Sequence, residues 1–245
     1  MRCLVLFLLL LATANTAARA QKILEKTAPV ATGQRVFLDL KQGSSIRIRA
    51  GAAGLLTLKA SVTINQNKLN DAFRLDVTSG GGELKVESTL DKEMLRNAPA
   101  GDCPEGQGEY YGNTYVGWKE DHDSGSRRHG YSVCAQITYD ITLPAGVALR
   151  VSTYSANIDI AGLSGPIEAK SLSGFVDVAW PMGVGAELAL KTITGEVYTD
   201  QDIAFGSTPP KNPVVGYQLR GTLSGSGPLV KLESISNDVY FRKRK

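Results

Sequence analysis

The sequence predicts an all-β chain built as a β-solenoid-like or β-helix-like stack of short strands, and three observations carry that prediction. Apolar residues alternate at period two through most of the chain, about one residue in seven is Gly or Pro, and a strand–corner–strand template recurs four times in the C-terminal half. An antiparallel β-sandwich whose turns use Ser and Gly is the competing architecture. With 245 residues, 42% hydrophobic and 21% charged, the chain is long enough to bury a full core. Its 26 Gly and 10 Pro argue against a helical bundle.

Residues 1–20 read as a cleaved secretory signal. Arg2 supplies a positive start, residues 4–12 an apolar run, and Ala18-Arg19-Ala20 an A-x-A cleavage signal before Gln21. The apolar run is about half the ~20 residues needed to span a bilayer, and no later stretch approaches that length, so no transmembrane segment is expected. Cys3 precedes the apolar run, where a lipid-modified cysteine would follow it, and leaves with the signal. The expected location is secreted, periplasmic or cell-surface. Residues 21–245 are expected to form a single β-repeat domain with an insert at 97–133 and a basic tail at 242–245.

Two cysteines then remain, Cys103 and Cys134, in an oxidising compartment, and they allow one intramolecular pairing. A disulfide there closes a loop of about 30 residues and contributes roughly 3 kcal/mol in the chain-entropy model. The long spacing, with no C-x-x-C nearby, argues against a metal-binding or reactive thiol pair. Of the 27 basic residues, Arg2 and Arg19 leave with the signal, so 25 face 24 acidic ones. Arg242-Lys243-Arg244-Lys245 form a terminal basic cluster. It reads as a solvated end that blunts a strand edge, or as a weak contact with an anionic surface. No basic helix or aromatic–basic face points to nucleic acid.

In chain order, alternation begins at Val36, Leu38 and Leu40, continues at Ile46 and Ile48, and extends from Leu56 through Ile64. Glycine-containing turns at residues 42–44, 51–54 and 80–82 separate these runs from one another and from Phe73, Leu75, Val77 and Leu84, Val86. The pattern predicts a meander of short strands. Residues 91–96 suit one helical turn. From about 97 to 132 the alternation fails, which predicts an inserted loop or irregular hairpin between the cysteines. Strands resume at Ala135, Ile137, Tyr139, Ile141 and Leu143, and again at Val147, Leu149 and Val151.

The template then appears as Val151-Ser-Thr-Tyr-Ser-Ala-Asn-Ile158, Ala169-Lys-Ser-Leu-Ser-Gly-Phe-Val176, Leu190-Lys-Thr-Ile-Thr-Gly-Glu-Val197 and Leu232-Glu-Ser-Ile-Ser-Asn-Asp-Val239. Its form is apolar, any, Ser/Thr, any, Ser/Thr, small or Asn, any, Val/Ile. The small positions Ala156, Gly174, Gly195 and Asn237 are 18, 21 and 42 residues apart, and Gly221-Thr-Leu-Ser-Gly225 reads as a weaker copy in the wide gap. Small residues turn the backbone at each corner while hydroxyls satisfy exposed backbone groups, and each coil buries its apolar side against its neighbours. The basic tail after Phe241 is the expected cap.

These segments, with Leu40-Lys-Gln-Gly-Ser-Ser-Ile-Arg-Ile48 and the terminal Lys231–Lys243 run, resemble the bacterial putative-adhesin β-strand-repeat family of secreted or periplasmic proteins. The resemblance implies a right-handed β-solenoid and an envelope or surface role, and it carries over no catalytic residue. The cysteine-bounded insert, Ala156-Asn157 and Asn237 depart from the family pattern.

Chemical signatures are sparse. No P-loop, G-x-S-x-G elbow or H-E-x-x-H occurs, and two histidines, His122 and His129, cannot make a three-histidine zinc site. Glu120-Asp121-His122-Asp123 reads as a solvated polar loop, so no metal, cofactor or catalytic residue is expected. Tyr110, Tyr111, Tyr115, Trp118 and Tyr131 place five of 17 aromatic residues within the insert. They read either as a contact surface or as rings that order the loop by packing. The expected function is therefore a non-enzymatic envelope protein, an adhesin-like binding or structural module for an envelope glycan or protein. The alternative is a polysaccharide-acting enzyme on the same scaffold, using carboxylates such as Asp159, Asp177 and Glu196.

Overall fold

The computed structural model describes residues 20–96, 102–103, 109–116, 126–206 and 218–244. The strands in chain order are β1 (Lys22–Pro29), β2 (Arg35–Asp39), β3 (Ser45–Ala50), β4 (Leu55–Ile64), β5 (Phe73–Gly80), β6 (Glu83–Leu90), β7 (Glu109–Val116), β8 (Ser126–Val133) and β9 (Ala135–Leu143). They continue as β10 (Ala148–Thr153), β11 (Asn157–Ala161), β12 (Ile167–Ser171), β13 (Val176–Trp180), β14 (Ala186–Thr192), β15 (Val197–Thr199), β16 (Ile203–Phe205), β17 (Gln218–Leu223), β18 (Leu229–Ser234) and β19 (Val239–Lys243). One helical turn, α1 (Lys92–Arg96), follows Asp91, whose carboxylate accepts the Glu93 and Met94 N–H groups.

The fold is all-β, as the alternation predicts. Sheet A has the order β1-β4-β9-β3-β11-β13-β19-β15 and sheet B the order β16-β17-β14-β18-β12-β10-β2-β6-β5, while β7 and β8 pair separately. Inward residues of both sheets meet in one core, with Trp180, Tyr139, Phe73 and Phe241 its largest fully buried side chains. Tyr139 is buried together with its hydroxyl, which donates to the Gln42 carbonyl at 2.6 Å. Burial pushes its phenol well above the usual range.

The centre of each sheet is parallel. The four template copies lie in register, with Val151, Ala169, Leu232 and Leu190 in one row of sheet B and Ile158, Val176, Val239 and Val197 in one row of sheet A. Each copy is thus a strand in sheet B, a corner, and a strand in sheet A. β2 and β3 join the same stack beside β10 and β11.

Several expectations are corrected here. The sheets are mixed and do not wind as a continuous solenoid, because the chain leaves the stack for antiparallel strands after β3 and again after β15. An antiparallel sandwich does not describe them either, since the central strands pair in parallel. The N-terminal half is not a meander: β2 and β6 pair in parallel, as do β3 and β9. Residues 221–225 are not a coil, because β17 runs antiparallel to β14. Finally, the strand leading into the basic tail is not the end of the stack: β19 lies between β13 and β15, with Val239, Tyr240 and Phe241 paired to Val197, Tyr198 and Thr199. At sheet A's other end, β1 sets Lys22 and Lys26 opposite buried Val62 and Leu58, so this edge strand carries lysines on its core side. Charges so placed discourage edge-to-edge pairing.

The corners are welded by hydroxyls. Ser171 Oγ accepts the Gly174 N–H at 2.9 Å and donates to the Ala156 carbonyl of the neighbouring coil at 3.0 Å. Ser234 does the same with the Asn237 N–H and the Gly174 carbonyl, and Thr192 with the Gly195 N–H and the Asn237 carbonyl. The Ala156 carbonyl sits so close to Gly174, and the Asn237 carbonyl so close to Gly195, that a Cβ on either glycine would overlap it.

Ser171→Ala is expected to destabilise the fold by about 1–3 kcal/mol, because the buried Gly174 N–H loses its acceptor. Gly174→Ala should cost a similar ~1–3 kcal/mol by overpacking. Ser236→Ala, at an exposed corner position, should stay within ~0.5 kcal/mol. Urea unfolding of the three variants checks the ranking.

Candidate binding surface

The outward face of sheet A is set by the same alternation that fills the core. Across it, Glu25, Lys59, Asp140, Arg47 and Asp159 stand opposite one another on successive strands. Arg47 Nε lies 2.7 Å from Asp140, and Arg49 grips both carboxylate oxygens of Asp159 at 2.7 and 3.1 Å. A shallow groove of about 750 Å³ runs over this region, between β1, β4, β9 and β3. Its charges largely answer one another. The outer face of sheet B is built alike, with Lys231 on Glu168 at 2.9 Å and Arg150 and Lys85 over the Phe37 ring at 4.7 and 5.8 Å.

Further along the row, sheet A changes character. Asp177 is held by the Arg242 guanidinium through both oxygens, and beyond it come Tyr240 and Tyr198. The two tyrosine rings stack at 5.2 Å with 12° between planes, and Phe175 meets Tyr240 edge-on at 6.1 Å. Each phenol is tied back along its own strand: Tyr198 donates to Glu196 at 2.6 Å and Tyr240 to Asp238 at 2.9 Å. These carboxylate acceptors raise both phenols, Tyr198 to about 12. The rings are thereby oriented at the surface, and Tyr198 remains 45% exposed.

Around the corner from these rings lies a second column. The fourth template position, between the two hydroxyls, holds Tyr154, Leu172, Ile235 and Ile193 on adjacent coils. Tyr154, Leu172 and Ile193 are 50%, 37% and 38% exposed. The template reading left this position unrestricted, although all four residues are apolar and the signal was present. Two adjoining columns of apolar and aromatic side chains thus mark one edge of the stack, in contrast to the charge-matched faces.

Asp159, Asp177 and Glu196 are each committed to a structural partner: Arg49, Arg242 and the Tyr198 hydroxyl. The fold does not set them up as a free acid–base pair.

Cys103 and Cys134 are joined by a disulfide with 5.5 Å between Cα atoms. The turn beneath it is unusual, with Asn65, Gln66 and Asn67 all in the left-handed region at φ 45°, 56° and 68°. Non-glycine residues adopt such angles at a cost, so neighbours must hold them. Asn65 exchanges hydrogen bonds with Cys134, its N–H donating to the carbonyl at 2.9 Å and its Oδ1 accepting the Cys134 N–H at 2.9 Å. Lys68 pairs with Asp102 beside the other cysteine. Of the predicted aromatic residues in the insert, Tyr111 lies opposite Tyr131, Tyr110 opposite Ser132 and Tyr115 opposite Arg127 in the β7–β8 ladder. Trp118 and the 120–123 acidic segment with His122 lie outside the described residues. None of the five was predicted to join the surface on β15 and β19.

No protein-family model matches the sequence, and no curated protein matches it. Among solved structures, the chain is similar to a putative cell adhesion protein from Clostridium sporogenes, with TM-score 0.49 and 10% identity over 92% of this chain and 100% of that one. It is also similar to a putative adhesin from Bacteroides fragilis, with TM-score 0.33 and 10% identity over 92% of this chain and 98% of that one.

Tyr198 is expected to ionise near pH 12, above an ordinary tyrosine. Glu196→Gln removes the acceptor charge and should bring that step down toward 10. Ultraviolet titration of the phenolate band in both proteins checks the direction. Because the folded value is raised, the pair's contribution is present below the ordinary tyrosine range and fades as pH rises through the folded value.

Proposed function

We propose that this chain is a non-enzymatic secreted or cell-envelope binding module whose stacked strand pairs act as an interrupted β-coil scaffold for an envelope glycan or protein. The observation that carries this reading is the edge formed by Tyr154, Leu172, Ile235 and Ile193 beside Phe175, Tyr240 and Tyr198. There, adjacent coils hold apolar and aromatic side chains out to solvent in register. Oriented rings offer contact area at small entropy cost, and the Glu196 and Asp238 carboxylates beside them offer acceptors to hydroxyl-rich ligands. The Cys103–Cys134 disulfide and the A-x-A motif before Gln21 support export to an oxidising compartment. The insert that the disulfide anchors is a second contact element in this reading, through its five aromatic residues.

The purified mature chain should begin at Gln21 by N-terminal sequencing and should be retained on isolated cell-wall polysaccharide or envelope material. Replacing both Tyr198 and Tyr240 with Ala is expected to weaken retention at least ~10-fold, the loss of two aromatic anchors, with the circular-dichroism spectrum unchanged. Deleting residues 106–130 tests the insert separately. Equal retention of the parent and both variants would refute the assignment of the surface.

A further inference from the structure

The last coil in the chain is not the last in the stack. β18 pairs with β12 on one side and β14 on the other, and β19 lies likewise between β13 and β15. Strands β14 and β15 therefore join the rest of the two sheets through the C-terminal segment. Without residues 229–243, each sheet would carry a slot one strand wide, bounded by two parallel edges. Val230, Leu232, Ser234, Val239 and Phe241 fill that slot with no exposed surface, and Phe241 packs 6.1 Å from Trp180.

The slot is chemically specific for its occupant. Lys231 meets Glu168, Glu233 lies between Lys170 and Lys191 at 3.3 and 3.7 Å, and Arg242 closes on Asp177. The segment also supplies one link of the corner relay, Ser234 to the Gly174 carbonyl, and receives the next, from Thr192 to the Asn237 carbonyl. Its tether to β17 is the short run Ser224-Gly-Ser-Gly-Pro228, which wraps around Gly185. Ser224, at φ 51°, is held in the left-handed region where a side chain is strained, and Gly225 follows at φ 94°. A self-contained strand pair on a short, strained hinge favours exchange between copies.

We propose that residues 229–243 are an exchangeable strand pair and that the slot accepts the same segment from a second copy of this chain. In the resulting dimer each copy's stack is completed by the other's C terminus, with every ion pair and corner bond re-formed between chains. The inference stands apart from any ligand bound at the tyrosine edge.

The full mature chain, refolded with its disulfide intact at high concentration, is expected to give a dimer fraction in light scattering that dilute refolding does not. Glu168 and Lys231 are paired across β12 and β18. A mixture of Glu168→Cys and Lys231→Cys chains should therefore form an interchain disulfide in that dimer, above the background of either variant alone. A second variant lacks residues 225–228. The single residue left between β17 and β18 spans about 7 Å, short of the roughly 9.6 Å across two strand spacings. It should refold as a dimer, and as a monomer when refolded with excess synthetic peptide of residues 228–244. Absence of a concentration-dependent parental dimer, a dimer without the cross-link, a shortened chain that folds as a monomer unaided, or one that the peptide fails to convert or rescue would each overturn the proposal.

Discussion

The structure depends on a bond that each corner makes to the next. A buried hydroxyl takes the N–H three residues ahead and gives its proton to the carbonyl of the adjoining coil, so two backbone groups that a tight bend would strand are satisfied at once. Close approach of that carbonyl is what excludes a side chain at Gly174 and Gly195. Once the corners are locked at one height, the flanking strands have no freedom of register, and a one-residue slip would turn every core side chain outward. The parallel ladders of both sheets follow from this.

The surface reflects a second constraint, which is that outward side chains on stacked coils stand in rows. Identical charges in a row would repel, and the faces answer this with opposite charges: Asp140 stands beside Arg47 and Glu168 beside Lys231, while the neighbouring Asp159 and Asp177 are each closed by an arginine, Arg49 and Arg242. Exposed pairs of this kind add little stability individually. Their consequence is a surface with little net field, on which the apolar and aromatic side chains of Tyr154, Leu172, Ile193, Tyr198 and Tyr240 stand out. The tyrosine hydroxyls are tied to Glu196 and Asp238, which orients the rings.

Much of the fold was legible because alternation states directly which side of a strand is buried. Val36, Leu38, Ile46, Ile48, Leu56 and Ile64 are all in the core where period two placed them. The corner template was legible because its chemistry is local, a hydroxyl and a small residue three positions apart. The candidate surface was less so: the apolar character of position four was written in Tyr154, Leu172, Ile193 and Ile235, yet an apolar residue in a strand-rich chain ordinarily signals core. Only exposure separates the two.

The sequence by itself determined the all-β class, the inward face of each strand, the four corners and the cysteine pair available for bonding. Each of these is set by residues within one strand, one bend or one composition count. Tertiary structure alone decided the order of coils, the insertion of β18 and β19 ahead of β14 and β15, and the place of β19 between β13 and β15 inside sheet A. All four corners carry the same hydroxyl-and-small-residue chemistry, so each is locally able to stack on any other. The choice among them rests on contacts far apart in the chain, such as Phe241 on Trp180 and Arg242 on Asp177.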